Sequence, residues 1–185
     1  MGLRHTSQQS TVRARMLRHP GRFNPVRIHS QHDVTARHIR LSLEPGQTLF
    51  DAIVAPLAAR GITSASTTIL GGLFNTLSYC VAPPDPTGKA VIAYSQPIDA
   101  GQSYMIFGNA TLGVSAQGKP LVHCHATIRT AQGLYRGGHI LPEAAIVGPQ
   151  PISVLVTGFS GFSLRQSFDP ETNIPLLQPF RDSQP

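Results

Sequence analysis

The chain of 185 residues has no tryptophan and only two cysteines, Cys80 and Cys124. Two cysteines are too few for a disulfide framework, and both lie in alternating apolar stretches where a buried free thiol is expected. No apolar run reaches the roughly eighteen residues that a transmembrane helix needs, so we expect no membrane partner. The N-terminal region also lacks the apolar core of a signal peptide, which favours a cytoplasmic location.

Acidic residues are scarce at the N-terminus. Residues 1–40 contain eight arginines and one acid, Asp33, for a net charge of +7, whereas the other 145 residues carry a net charge of −1. Residues 1–36 lack sustained periodicity and are predicted to form a basic, disordered arm, which would bind nucleic acid through its phosphates. A leader without function, an upstream extension of a chain starting at Met16, and a transit peptide are the alternatives. The candidate nucleic-acid-binding residues are Arg13, Arg15, Arg18 and Arg22.

The hydrophobic pattern of residues 37–180 predicts one α+β domain, mainly antiparallel β-sheet with one principal helix. A strand over 38–43 precedes the helix, which Thr48 and Asp51 would cap at its start and Gly61 would end. Residues from about 170 onward are predicted to be a Pro-rich tail. The remaining strand-like runs are near 65–70, 74–82, 90–95, 103–107, 110–115, 121–129, 134–141, 144–148, 152–158 and 162–168.

Two histidines share one face of a predicted strand. In the stretch Val122-His123-Cys124-His125, apolar and polar residues alternate, which is typical of a strand with one buried face. The two histidine Cβ atoms would be roughly 6.6 Å apart, close enough for both imidazoles to bind one metal ion at about 2.0–2.1 Å. Taken alone, such a pair more often consists of ordinary polar residues on a solvated strand face than of metal ligands.

A third histidine, His139, follows a short turn. A three-residue loop that ends at Gly133 would hold this glycine in the left-handed conformation that such hairpins favour. Thr130 would then oppose Leu134 and His125 would oppose His139, so that all three imidazoles line one patch. A two-residue loop would place His139 on the other face of the sheet, so the metal site depends on the loop length.

Three neutral imidazoles suit zinc and other divalent transition metals, and they leave a fourth position for water or a small ligand. The predicted metal ligands are therefore His123, His125 and His139. Catalysis would also need a general base, and Glu143 is the candidate because it lies four residues beyond His139; a glutamate exposed on a turn is the alternative. Cys124 alternates with the histidines and is excluded as a ligand.

Several motifs occur in a distinctive order. Pro-Gly-Gln-Thr-Leu precedes the predicted helix, and Ile-Leu-Gly-Gly-Leu-Phe-Asn-Thr-Leu follows it. Leu-Val-His-Cys-His-Ala-Thr-Ile and Gly-Gly-His-Ile-Leu come next. This order is similar to that of the PPC domain, which is named for its occurrence in plants and prokaryotes and is found in plant AT-hook nuclear-localised proteins. The resemblance covers roughly residues 38–180.

The resemblance implies an α+β fold, a homotrimer and, as in prokaryotic members, a metal that is usually zinc. The metal would be held by the residues that match the family motif, His123, His125 and His139. The sequence departs from the plant members because it has no Arg-Gly-Arg core of an AT-hook, and Pro20-Gly21-Arg22 does not replace it.

The leading hypothesis is a trimeric, metal-binding regulatory module whose contact with DNA is made by the basic arm. The alternative is a metal-dependent hydrolase or lyase that acts on a small molecule at the three-histidine site. A cupin is the rival architecture, because cupins also present a His-x-His motif. Cupins have a glutamate three to four residues after the second histidine, and Ile128 and Arg129 occupy those positions here.

Overall fold

The computed structural model describes residues 17–26 and 29–181. Regular structure extends from Arg37 to Phe180 and comprises twelve strands, one α-helix (α1, Leu49–Ala58) and one short 3-10 helix (η1, Pro142–Ala144). The strands are Arg37–Leu43 (β1), Ala65–Ile69 (β2), Gly72–Thr76 (β3), Ser78–Cys80 (β4), Ile98–Asp99 (β5), Ser103–Val114 (β6), Pro120–Thr130 (β7), Tyr135–Ile140 (β8), Ile146–Val147 (β9), Ile152–Gly158 (β10), Ser163–Asp169 (β11) and Ile174–Phe180 (β12).

The strands form one sheet built around the long strand β6. Eight of them lie in the order β1-β10-β2-β6-β7-β8-β4-β5, and β3 and β11 also pair with β6. The pairings are antiparallel apart from a single parallel pair, Arg165 of β11 with Val114 of β6. This arrangement confirms the prediction of a mainly antiparallel sheet with one helix. It also places β7, the strand that carries the His-x-His motif, between β6 and β8.

Helix α1 forms because its first turn is capped and because its apolar residues share the face that packs on the sheet. The Thr48 hydroxyl oxygen accepts a hydrogen bond from the Asp51 amide at 3.0 Å, which satisfies one of the free donors of the first turn. Gly61, with a φ of +67°, ends the turn that follows the helix. The face of the helix directed at the sheet is buried, and it consists of Leu49, Ala52, Ile53 and Leu57. These residues join the sheet side chains in one hydrophobic core.

Two predictions of secondary structure are wrong. Residues 90–95 are not a strand: the Ala93 and Ser95 amides donate to the Pro83 and Val81 carbonyls, whereas the Val91 amide donates to the Thr172 carbonyl. Pro83 has no N–H to return a ladder hydrogen bond, so this pairing does not extend into a strand. The expected Pro-rich tail instead contains β12, which pairs with β11 alone. An edge strand tolerates proline, because the missing N–H can face outward.

The described part of the N-terminal arm carries no helix or strand, yet it contacts the domain at two points. His19 Nδ1 lies 2.7 Å from a carboxylate oxygen of Glu171, a residue with a 5% exposed side chain. Asp33 accepts hydrogen bonds from the amides of Ser160 and Gly161. Residues 1–16 lie outside the described residues, and a domain boundary between 36 and 37 stays a prediction.

No helix within the described residues is long and apolar enough to cross a membrane.

Candidate metal centre

The turn between β7 and β8 has the predicted length. The Thr130 amide donates to the Leu134 carbonyl at 2.9 Å, and the Gly133 amide donates to the Thr130 carbonyl at 2.9 Å. Gly133 has a φ of +80°, the left-handed conformation that this turn needs. His125 therefore pairs with His139 across the two strands, as predicted from the sequence.

The two glycines before His139 let β8 lie close to both of its neighbours. A Cβ on Gly137 would be 2.6 Å from the Ala126 carbonyl oxygen on β7. A Cβ on Gly138 would overlap the Cys80 carbonyl oxygen on β4. Because β8 is held between β7 and β4 at this distance, His139 has a fixed position beside the His-x-His pair.

The three imidazoles form a compact group. The Nε2 atoms of His123 and His125 are 3.0 Å apart. The ring of His139 lies 4.7 Å from that of His123 and 5.6 Å from that of His125, measured between centroids. One ligand nitrogen from each residue falls within 4.8 Å of the others. This grouping comes from the strand register rather than from neighbouring positions in the sequence.

The donor set fits a divalent transition metal. Nitrogen ligands at about 2.0–2.1 Å in a tetrahedral site lie about 3.3 Å from one another. The His123 and His125 pair, at 3.0 Å, is close to this spacing, and a His139 nitrogen lies within 4.8 Å of the other two ligand nitrogens. The Nδ1 atom of His139 is buried and has no hydrogen-bond partner among the described residues. A buried imidazole nitrogen without a partner is costly, and a metal or a water molecule would satisfy it.

The surroundings of His123 and His139 favour the neutral imidazole, the state in which histidine binds metals. Burial, together with His139 and His125, lowers the pKa of His123 to about 4. Burial and the proximity of His125 also lower the pKa of His139, while Glu143 opposes this shift. The lowered pKa values therefore leave one nitrogen of each of these two imidazoles free of a proton at neutral pH and available to bind a metal ion.

Cys124 lies on the other side of the strand. It is fully buried in the core, and burial raises the pKa of its thiol to about 12. A thiol that stays protonated and faces away from the histidines does not bind the metal. This agrees with its exclusion on the basis of strand alternation.

A cavity of about 650 Å³ adjoins the histidines. His123 and His139 lie on its wall together with Glu143, which is an exposed residue of η1. Tyr94 lines the same cavity, and its ring centroid is 5.1 Å from that of His139. Strand β12 contributes a further part of the wall, residues 174–177.

Sequence analysis missed two parts of this site, Tyr94 and the β12 wall. Tyr94 lies in a segment without regular structure, so no strand pattern connects it to the histidines. The signal for β12 was present in the apolar residues Ile174, Leu176 and Leu177, but Pro175 and Pro179 obscured it.

The arginines of the arm are not part of this cluster. Arg18 and Arg22 are exposed, and Arg18 lines a different cleft together with Asp85 and Val91. Arg13 and Arg15 lie outside the described residues. A nucleic-acid contact by the arm would therefore be separate from the chemistry of the histidines.

Comparison with known proteins places this fold in a family. The model of the Plants and Prokaryotes Conserved (PCC) domain, also written PPC, matches residues 30–159. No curated protein matches the chain significantly.

Several solved structures share the fold. A metal-containing protein from Archaeoglobus fulgidus has 20% sequence identity and a TM-score of 0.62, covering 81% of this chain and 97% of its own. A plant- and prokaryote-conserved protein from Pyrococcus horikoshii has 16% identity and a TM-score of 0.59, covering 78% and 93%. A candidate DNA-binding protein from Ralstonia eutropha has 21% identity and a TM-score of 0.58, covering 75% and 88%. At these identities the likeness shows the fold.

The lowered pKa of His123 predicts a pH dependence of stability in the metal-free protein. Its folded-state pKa is about 4, against an ordinary value of 6.5, so the unfolded chain binds more protons below pH 6.5. We therefore expect the free energy of unfolding of chelator-treated protein to fall as the pH decreases from about 6.5 to about 4. Urea unfolding across this range measures the effect.

The variant His123→Asn removes this titrating group and should reduce the pH dependence to the part that the lowered pKa of His139 contributes. His32→Asn changes an exposed histidine of the arm and is the matched control, which should keep the wild-type slope. Equal slopes in the two variants would contradict the assignment to His123.

Proposed function

The chain belongs to the Plants and Prokaryotes Conserved domain family, and we propose that it is a homotrimeric, metal-binding regulatory module of that family. The observation that carries the proposal is the convergence of His123, His125 and His139, whose ligand nitrogens lie within 4.8 Å of one another. The basic arm would supply any contact with DNA.

Zinc is the metal we propose. Three neutral imidazoles suit a borderline-soft divalent cation, and tetrahedral zinc with three protein ligands keeps one position open. A structural zinc site would need a fourth protein ligand, and no fourth histidine, cysteine or acid joins the group among the described residues. The Archaeoglobus protein is described as metal-containing, which supports a metal in this fold.

Metal content tests this site directly. After zinc loading and removal of the excess, we expect about one zinc per chain in the wild type and less than about a tenth of that in His123→Ala/His125→Ala, because two of three ligands are lost. Elemental analysis measures both. His32→Ala, which changes an exposed histidine outside the cluster, should bind like the wild type. Equal zinc in the double variant and the wild type would end the metal hypothesis.

The outer face of the β6–β7–β8 sheet is the surface we propose for trimer formation. Tyr104, Arg129 and Tyr135 are directly paired across these strands, and all three are exposed. Ile106 and Phe107 extend the patch, with 42% and 52% of their surface exposed. Aromatic side chains and arginine are enriched at protein interfaces, and contiguous exposed apolar surface on a soluble chain marks an interaction site.

The oligomeric state tests this surface. We expect light scattering during gel filtration to give three times the chain mass of 19.8 kDa for the wild type. Tyr104→Glu/Phe107→Glu should shift the protein toward the monomer, because a charge at an apolar interface is left desolvated and unpaired. Val34→Glu, at an arm residue that is 88% exposed, is the control and should stay trimeric. A monomeric wild type would refute the trimer.

The N-terminal arm is the part of the chain that we propose contacts DNA. Six of the eight arginines in residues 1–40 belong to the arm, and this region has a net charge of +7, whereas the rest of the chain is close to neutral. The Ralstonia relative is described as a candidate DNA-binding protein. Without an AT-hook core the contact would be electrostatic and independent of sequence.

Salt dependence tests the arm. We change Arg13, Arg15, Arg18 and Arg22 to Ser in one variant. The slope of log K against log salt for duplex DNA should then become less negative by about 3 to 4, because binding makes fewer phosphate contacts and so releases fewer counterions. Fluorescence anisotropy over a salt series measures the slope. A charge-matched control changes Arg60, Lys89, Lys119 and Arg181 to Ser. Equal effects of both sets would refute a specific role of the arm.

A metal-dependent hydrolase or lyase is the second candidate function. One observation favours it: Glu143 lines the cavity that also contains His123 and His139. A general base must reach the metal-bound water within hydrogen-bond distance, and Glu143 is exposed on the short helix η1. The module without turnover stays the first proposal, because the site offers this one carboxylate and no activated nucleophile among the described residues.

A further inference from the structure

The cavity beside the histidines has the size and lining of a small-molecule site. We propose that it binds a small organic monoanion with an apolar body, of the aliphatic monocarboxylate class, whose oxygen head occupies the open position of the metal. This inference rests on the metal site proposed above and assigns it a ligand class. The volume of about 650 Å³ lies within the range of about 300–1,000 Å³ that is usual for ligand pockets.

The walls of the cavity favour an apolar body. Leu121 lies two residues before His123 on the same face of β7, so apolar surface begins directly beside the metal ligands. Across the cavity, Ile174, Leu176 and Leu177 of β12 are half-buried and add aliphatic surface. A ligand body placed between these two walls leaves water and gains about 0.8 kcal/mol per buried methylene, which is roughly a fourfold gain in affinity.

The charges of the site favour a single negative charge on the ligand head. Three neutral imidazoles leave a bound divalent metal with its charge of +2. Glu143 is the one charged side chain among the described residues that line the cavity, and it reduces the net charge to +1. A monoanion neutralises this charge, whereas the metal would repel an alkylamine, which is protonated at neutral pH. A phosphate ester would need arginine or lysine side chains for its second charge, and none is in this lining.

Tyr94 is placed to orient such a head. Its ring is 5.1 Å from that of His139, at the same end of the cavity as the metal ligands. Its phenol keeps its proton at neutral pH and can donate a hydrogen bond to a carboxylate oxygen. One carboxylate oxygen would bind the metal, and the Tyr94 hydroxyl would hold the other.

A chain-length series tests the proposal on the unmodified protein. Isothermal titration of the zinc-loaded full chain with acetate, butanoate and hexanoate should show the affinity rising by about threefold to fourfold per methylene. Hexylamine, which has the same body and the opposite charge, should not bind. Metal-free protein should lose binding of all three acids, because the head has no partner.

Substitutions in the cavity wall distinguish the contribution of the wall to ligand binding from that of the metal. Leu121→Gln and Ile174→Gln should reduce the affinity for hexanoate by about tenfold and leave that for acetate unchanged, since they alter the contact with the body alone. Leu70→Gln, the same change at an exposed loop residue, should have no effect. Tyr94→Phe should lower the affinity for all three acids by a similar factor, because the lost hydroxyl would contact the carboxylate head that they share.

The outcomes distinguish this inference from the function on which it rests. Stoichiometric zinc with equal affinity for acetate and hexanoate would overturn the inference and leave the metal site intact. Tighter binding of hexylamine than of hexanoate would also overturn it. Failure of the wild type to retain zinc would overturn the proposed function, and elemental analysis of the same sample detects that case.

Discussion

Strand β8 is held between β7 and β4 with no room for a side chain at two successive positions. Gly137 faces the Ala126 carbonyl and Gly138 faces the Cys80 carbonyl, so the backbones meet at distances that only glycine permits. The three-residue turn at Gly133 sets the register, and the two glycines set the spacing between strands. Together they bring His139 to the pair on β7, although fourteen positions separate it from His125. The grouping of the three histidines is thus a consequence of backbone packing.

Much of this centre could be predicted from the sequence, because it depends on local rules. Strand alternation places His123 and His125 on one face, and the left-handed preference of Gly133 selects the loop length that puts His139 opposite His125. The helix could be predicted equally well, since Thr48 and Asp51 form its cap and its apolar residues share one face. In each case the signal lies within one short segment, the longer of which is the histidine segment, residues 123–139.

The cavity could not be predicted in the same way, because its walls come from distant segments. Tyr94 belongs to a stretch whose alternation resembles a strand, yet the Val91 amide donates to Thr172 instead and Pro83 has no N–H for a return hydrogen bond. Strand β12 was hidden by its prolines, which an edge strand tolerates when the missing N–H faces outward. Sequence periodicity describes one segment at a time. The shape and lining of the cavity depend instead on which distant segments face each other in the fold.

The N-terminal arm and the cavity meet at the same hairpin, and this affects how each can be studied. Glu171, in the turn between β11 and β12, is almost fully buried, and its carboxylate oxygens contact His19 Nδ1 at 2.7 Å and the Asn24 amide at 2.8 Å. A buried carboxylate that loses these two contacts loses part of what compensates its desolvation, which is costly. Removing the whole arm would therefore destabilise the turn that leads into β12, and β12 forms one wall of the cavity. Substitution of the arm arginines avoids this coupling, because it changes the charge of the arm and leaves the contacts of Glu171 in place.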